Sequence, residues 1–175
     1  MPRARTFDMG KALDVATVCF WEHGYGGTSV RHLCEAMSIQ PGSFYAAFGS
    51  KDECFRLAVE RYLAEQGVPA EPGPDAIRQW LAAITDPART PRGCLLVGAA
   101  VEHATLEPRS QALISAKLQS MEDFFWLCLR ERPQAREDAA LLAAAVAGIH
   151  VIARAGASPE RLRRVAERAL SSLDI

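Results

Sequence analysis

A chain of 175 residues with a formal net charge of −1 is long enough for one or two domains with a sizeable core. It is no bulk polycation, so any contact with nucleic acid must rest on a few local groups. Five cysteines, odd in number and without CxxC spacing, argue against a disulfide framework and against a metal site of the zinc type, and the alanine-rich composition points to an all-α protein.

The first predicted helix carries Met9, Leu13, Ala16 and Phe20 at helical spacing and ends at Gly24. After the flexible Gly26-Gly27 pair, Thr28 reads as the N-cap of a second helix with Val30, Leu33, Cys34 and Met37 on its apolar side. A turn at Met37-Ser38 leads to a short third helix opened by Pro41. Ile39, Phe44 and Phe48 are expected to point inward, leaving Gln40, Gly42, Ser43, Tyr45, Ala46 and Ala47 outward. A pair of short helices with a small polar outer face is the shape that enters a DNA major groove. Gly49 closes the short helix, and Ser50 with Glu53 forms a capping box for the next. Arg3, Arg5, Arg31, His32 and Lys51 are the cations and histidine available for phosphate nearby.

The glycines and prolines of residues 66–74 break the chain, so the expected domains are 1–50, with helix 51–66 as connector, and 67–175. Beyond the break come a helix over 75–85 with Ile77, Trp80, Leu81 and Ile84, a loop from Asp86 to Pro91, and an apolar helix from Gly93 to Ala104. A longer helix runs from Pro108 to Arg132. Helix 137–155 carries Leu141, Leu142, Val146 and Ile149, and Ser158-Pro159-Glu160 opens the last helix with Leu162, Val165 and Leu170. No apolar run reaches the ~18 residues of a membrane span, and no leader precedes the first helix, so a cytoplasmic location and no membrane partner are expected.

Helix 137–155 is apolar around most of its girth. It is either a central helix inside one protomer or half of a four-helix seam between two. In the second case Leu142, Val146, Ile149, Leu162, Val165 and Leu170 form the dimer interface.

Several pieces in order, Phe20-Trp21-Glu22-His23-Gly24-Tyr25, Thr28-Ser29-Val30, Gly42-Ser43-Phe44-Tyr45 and Phe48-Gly49-Ser50-Lys51, resemble the TetR/AcrR family of bacterial transcriptional regulators. The resemblance covers roughly the first third of the chain. It implies an all-α fold, with an N-terminal three-helix helix-turn-helix domain followed by a helical domain for ligand binding and dimerisation. It also implies a homodimer on palindromic operator DNA, and most often repression relieved by a small molecule. Gln40–Phe48 then matches the recognition helix. Tyr45 matches a tyrosine on backbone or thymine, Lys51 a phosphate-contacting lysine and Thr28 an N-terminal phosphate contact. With Arg31, Gln40, Gly42, Ser43 and Ala46 these make the expected DNA-binding set. Ala46-Ala47 replaces a bulky His/Tyr pair common in the family, leaving only methyl groups for thymine at those positions.

A small effector, apolar or aromatic, is expected among Trp80, Ile84, Val97, Ala100, Met121, Phe124 and Phe125, with His103 and His150 as polar groups. Cys94, near a predicted helix start, raises the alternative of electrophile or oxidant sensing. The four histidines lack i,i+4 pairing, and Gly24–Thr28 lacks the spacing of a phosphate loop. No catalytic motif is visible, so neither enzyme activity nor a cofactor is expected. A helical ligand carrier without DNA binding, or an adaptor using its C-terminal face, are the readings from other classes.

Overall fold

The computed structural model describes residues 7–67, 69, 71–88 and 93–175. Among them every regular element is helical: α1 (Met9–Gly27), α2 (Val30–Met37), α3 (Pro41–Phe48), α4 (Lys51–Glu65), α5 (Pro74–Thr85), α6 (Leu95–Val101), α7 (Pro108–Leu129), α8 (Ala135–Arg154) and α9 (Pro159–Ser172), with a 3-10 turn at His103–Thr105. The chain forms two compact units. The first holds residues up to Gly67 together with Gly98–Ile114; the second holds Val68–Val97 and Ser115–Ile175.

The first unit is built on an aromatic core between α1 and α4. Asp8 caps α1, its Oδ1 accepting from Gly10 N–H at 2.9 Å. Phe20 and Phe55 are fully buried, their ring centroids 5.1 Å apart edge to face, and Tyr25 meets Phe55 at 5.0 Å. Each fully buried ring contributes about 1.5–3 kcal/mol by leaving water. Cys54, Ala58 and Val59 extend this face, so α4 belongs by its packing to the first unit rather than acting only as a connector. α1 continues past the expected end: the chain kinks at Gly24, with φ 73° and ψ 176°, and stays helical to Gly27. That dihedral pair is open to glycine alone.

The expected cap of α2 shifts by one residue. Ser29 is the N-cap, its hydroxyl accepting from His32 N–H at 3.1 Å. Thr28 instead closes α1. It is wholly buried, and its hydroxyl donates to the carbonyls of Gly24 at 2.7 Å and Cys19 at 3.3 Å.

The second unit packs α5, α8, α9 and the C-terminal part of α7 around one core of Ile77, Leu81, Phe125, Leu129, Leu142, Val146, Ile149 and Leu162. Four of the residues expected at the dimer seam are core within a single chain. Leu142 and Ile149 are 0% exposed and Val146 1% within a single chain, because that stripe of α8 is occupied by α5 and α9. Leu162 is buried in the same core and Leu170 packs against it. Of the six expected interface residues Val165, 36% exposed, is on the surface, and Leu170 is half-buried. The free face of α8 carries Leu141, 50% exposed, and Val151, 49% exposed, with the exposed small residues Ala144 and Gly148 between them.

Candidate nucleic-acid interface

Two short helices are held at a fixed angle by one residue. Ser38 ends α2 in the left-handed region, φ 57° and ψ 41°, a conformation that costs a non-glycine residue about 1–2 kcal/mol. The turn recovers this through hydrogen bonds. Ile39 N–H reaches Cys34 O at 3.0 Å and Ser38 N–H reaches Glu35 O at 3.2 Å. Leu33 and Cys34 anchor α2 inside.

α3 then starts at Pro41, whose missing N–H costs nothing in a first turn. Phe44 and Phe48 are buried at 0% and 2% exposure, their ring centroids 5.1 Å apart. These two rings fix which way α3 faces. Gln40, Pro41, Gly42, Tyr45 and Ala46 are left exposed in one row, with Ser43 half-buried. The Gln40 side chain makes no cap bond, so its amide is not committed to the helix end. A Cβ on Gly42 would meet nothing within 4 Å, so that stretch of backbone is open to close approach. Tyr45 is 52% exposed and rests edge-on against Phe44 at 5.6 Å. The row thus offers an amide that can pair with adenine, a phenol with hydrogen-bonding and stacking ability, and a methyl group suited to thymine.

The charged candidates are placed differently. Arg31 is exposed and pairs with Glu35 on the next turn at 2.8 Å. Lys51 is committed inside the domain: its Nζ donates to Tyr25 O at 3.0 Å and lies 3.9 Å from the Tyr25 ring centroid. Burial lowers the Lys51 ammonium below its ordinary range, partly offset by the carboxylate of Glu102. Thr28 offers no free hydroxyl, as described above. His32 faces His23 across α1 and α2, ring centroids 4.9 Å apart. Arg3 and Arg5 lie outside the described residues.

Sequence reasoning missed Glu102. Its Oε2 accepts from Gly26 N–H at 2.7 Å, at the join between α1 and α2. The signal for this contact is indirect: glycines stand at 24, where a side chain would overlap the carboxylate, and at 26, where one would crowd it.

The effector candidates divide between the two units. Trp80, Phe124 and Phe125 pack on one another, with centroids 5.3 Å apart for Trp80–Phe124 and 5.1 Å for Trp80–Phe125. Ile84 and Met121 belong to the same cluster, and Val97 is buried in the same unit. Ala100 and His103 belong to the first unit. His150 is 6% exposed and its Nδ1 has no hydrogen-bond partner; burial pushes its imidazole down to about 4. Cys94 is the half-buried one among five free cysteines, the other four being buried. Burial pushes the Cys54 thiol up to about 12 and raises those of Cys19, Cys34 and Cys128 as well, so these four stay protonated and inert. Among the described residues no group of three or more His, Cys, Asp or Glu is arranged for a metal.

The family model for bacterial regulatory proteins of the tetR family matches residues 12–58, which span the helix-turn-helix. The TetR-family transcriptional regulator CifR, a cysteine mutant in complex with 26 bp double-strand operator DNA, is 34% identical, with 98% of each chain covered and a TM-score of 0.83. The chain belongs to the TetR family of DNA-binding transcriptional regulators. Other TetR-type relatives agree. The HTH-type transcriptional repressor ComR of Escherichia coli (strain K12) is 29% identical over 94% of this chain and 88% of its own length. A transcriptional regulator from Rhodococcus sp. Rha1 is 26% identical over 95% of both chains, with a TM-score of 0.77. The all-α reading and the helix-turn-helix assignment therefore stand for this TetR-family chain.

Proposed function

We propose that the chain is a repressor that grips a palindromic operator as a homodimer through α3 and lets go when a small molecule binds its second unit. The observation that carries the operator contact is the exposed row Gln40, Gly42, Tyr45 and Ala46, aimed outward by the buried Phe44 and Phe48. CifR is described with operator DNA, and ComR carries the name repressor. In this reading Gln40, Ser43, Tyr45 and Ala46 read bases or backbone, and Arg31 supplies phosphate attraction. The reading includes no catalytic step. It places the protein with the chromosome in the cytoplasm, in keeping with the absence, among the described residues, of a helix long and apolar enough to cross a membrane.

The free α8 face, Leu141, Ala144, Gly148 and Val151, supports homodimerisation, because small residues flanked by exposed aliphatics let a second helix approach closely. For the effector, the half-buried Trp80, Met121 and Phe124 at the edge of the second core favour an apolar or aromatic compound. The half-buried Cys94, set against four buried thiols, supports electrophile sensing as a second reading.

Selection from a pool of random duplexes tests the central claim. An inverted repeat should be enriched, with affinity falling steeply as salt rises. A pool that returns no enriched sequence would contradict it.

A further inference from the structure

The recognition pair α2–α3 is bounded in sequence by the end of α1 and the start of α4. One segment from much later in the chain holds both boundaries. Residues 98–114 pack as part of the first unit, α6 entering it after Val97 and α7 leaving it after Ile114. At the first boundary the Glu102 carboxylate takes the Gly26 N–H at 2.7 Å. The fit is close. A Cβ on Gly24 would lie 1.9 Å from Glu102 Oε1, and one on Gly26 3.1 Å from Oε2. At the second boundary Ser110 is 0% exposed, and its hydroxyl donates to Asp52 Oδ1 in the first turn of α4. Asp52 also accepts from Arg56 Nε at 3.4 Å.

The segment between these two attachments is braced internally. Thr105 Oγ1 donates to Glu102 O at 2.8 Å. Gln111 Nε2 donates to His103 O at 3.1 Å and to Leu106 O at 3.0 Å. A braced segment fixed at two points constrains the angle of whatever hangs between them, which here is the helix-turn-helix.

We propose that Glu102 and Ser110 are positioning residues for operator binding, a two-point yoke that fixes α2–α3 at the angle the half-site requires. This rests on the operator reading given above. Neither residue needs to touch DNA. Electrostatics and positioning predict opposite signs for Glu102. Removing a carboxylate from the DNA-binding unit lessens repulsion of phosphate and tightens binding to any duplex. Losing the hold on Gly26 weakens binding only where geometry matters, on the specific site.

The test compares wild type, Glu102→Ala, Glu102→Gln and Ser110→Ala on two duplexes: the one wild type selects from a random pool, and a scrambled duplex of equal length. Hydrogen exchange at the Gly26 amide is followed without DNA. The Glu102→Ala variant should lose about tenfold in affinity for the selected duplex, the scale of one charge-assisted hydrogen bond, and nothing on the scrambled one. Gly26 exchange should accelerate. Glu102→Gln keeps an acceptor oxygen and should restore both. Ser110→Ala should lower selected-duplex affinity in the same direction, and it serves alone if Glu102→Ala melts below the assay temperature. Unchanged affinity for the selected duplex with accelerated Gly26 exchange overturns the proposal. So does an equal loss on both duplexes. A wild type that selects no duplex at all overturns the operator reading instead, and the Gly26 exchange data tell the two failures apart.

Discussion

Lys51 donates its ammonium to the Tyr25 carbonyl at 3.0 Å and sits over the same residue's ring, tying the start of α4 to the last turn of α1. Family resemblance assigns this lysine to phosphate, yet here its charge is used within the domain before any DNA arrives. Lys51→Ala should therefore lower thermal stability in the absence of DNA. Lys51 is only half-buried, so solvent screening keeps the loss to about 1 kcal/mol. Calorimetry or a thermal melt followed by circular dichroism checks it. An unchanged melting temperature with weakened binding to every duplex would return Lys51 to a purely phosphate-facing role.

Phe44 and Tyr45 are neighbours with opposite tasks. Tyr45→Ala removes an exposed phenol and should leave the melting temperature nearly unchanged while abolishing specific binding. Phe44→Ala opens a hole in the wall that aims α3 and should cost about 3–5 kcal/mol of stability. Paired melts and titrations of the selected duplex separate the two. A Tyr45→Ala protein that keeps specific binding would remove this residue from the recognition row.

The helix-turn-helix was legible because its signals are local. Pro41, the Phe44/Phe48 pair and the Ser50 N-cap each act within a few residues and stand as expected. The expected return bond of the capping box does not form, because the Glu53 carboxylate pairs with Arg56 and Ser50 N–H donates to Phe48 O at 2.8 Å. The cap of α2 slipped by one residue because Thr28 and Ser29 are both N-cap types, with Ser the better of the two. Burial decided between them: only Thr28 lies where its hydroxyl can reach back to Gly24 O. The face of α8 was not legible. Its circumference is apolar nearly all round, so periodicity cannot say which side meets α5 and α9 and which stays free. Glu102 was invisible for a related reason. Its link to Gly26 spans 76 positions, and no spacing rule reaches that far.

The two faces of α8 give a paired experiment on assembly. Leu141→Arg places a charge on the free face and should yield a folded monomer with weak operator binding, since one half-site alone contributes little. Ile149→Arg places a charge in a core position that is 0% exposed and should unfold the second unit, because an unpaired buried charge costs several kcal/mol. Sedimentation velocity together with circular dichroism distinguishes a folded monomer from an unfolded chain. A dimeric Leu141→Arg protein would move the interface elsewhere.

Acid should weaken the second unit through His150. In the unfolded chain its imidazole titrates near the ordinary value of about 6.5; in the fold, burial pushes it down to about 4, and Nδ1 has no hydrogen-bond partner to favour the cation. Between these two values the unfolded chain binds a proton that the folded chain refuses, so stability is full above about pH 6.5 and falls as pH drops toward 4. The accumulated loss is about 3 kcal/mol once the lower value is passed. A His150→Gln variant cannot take up the proton in either state and should lose much less stability over that range. Urea unfolding at pH 7, 6, 5 and 4 for both proteins measures the difference. Parallel pH profiles for wild type and variant would show that His150 is already protonated, or already hydrated, in the folded protein. A compound that donates a hydrogen bond to an unprotonated Nδ1 should deepen the wild-type dependence, because it adds stability only while the imidazole stays neutral.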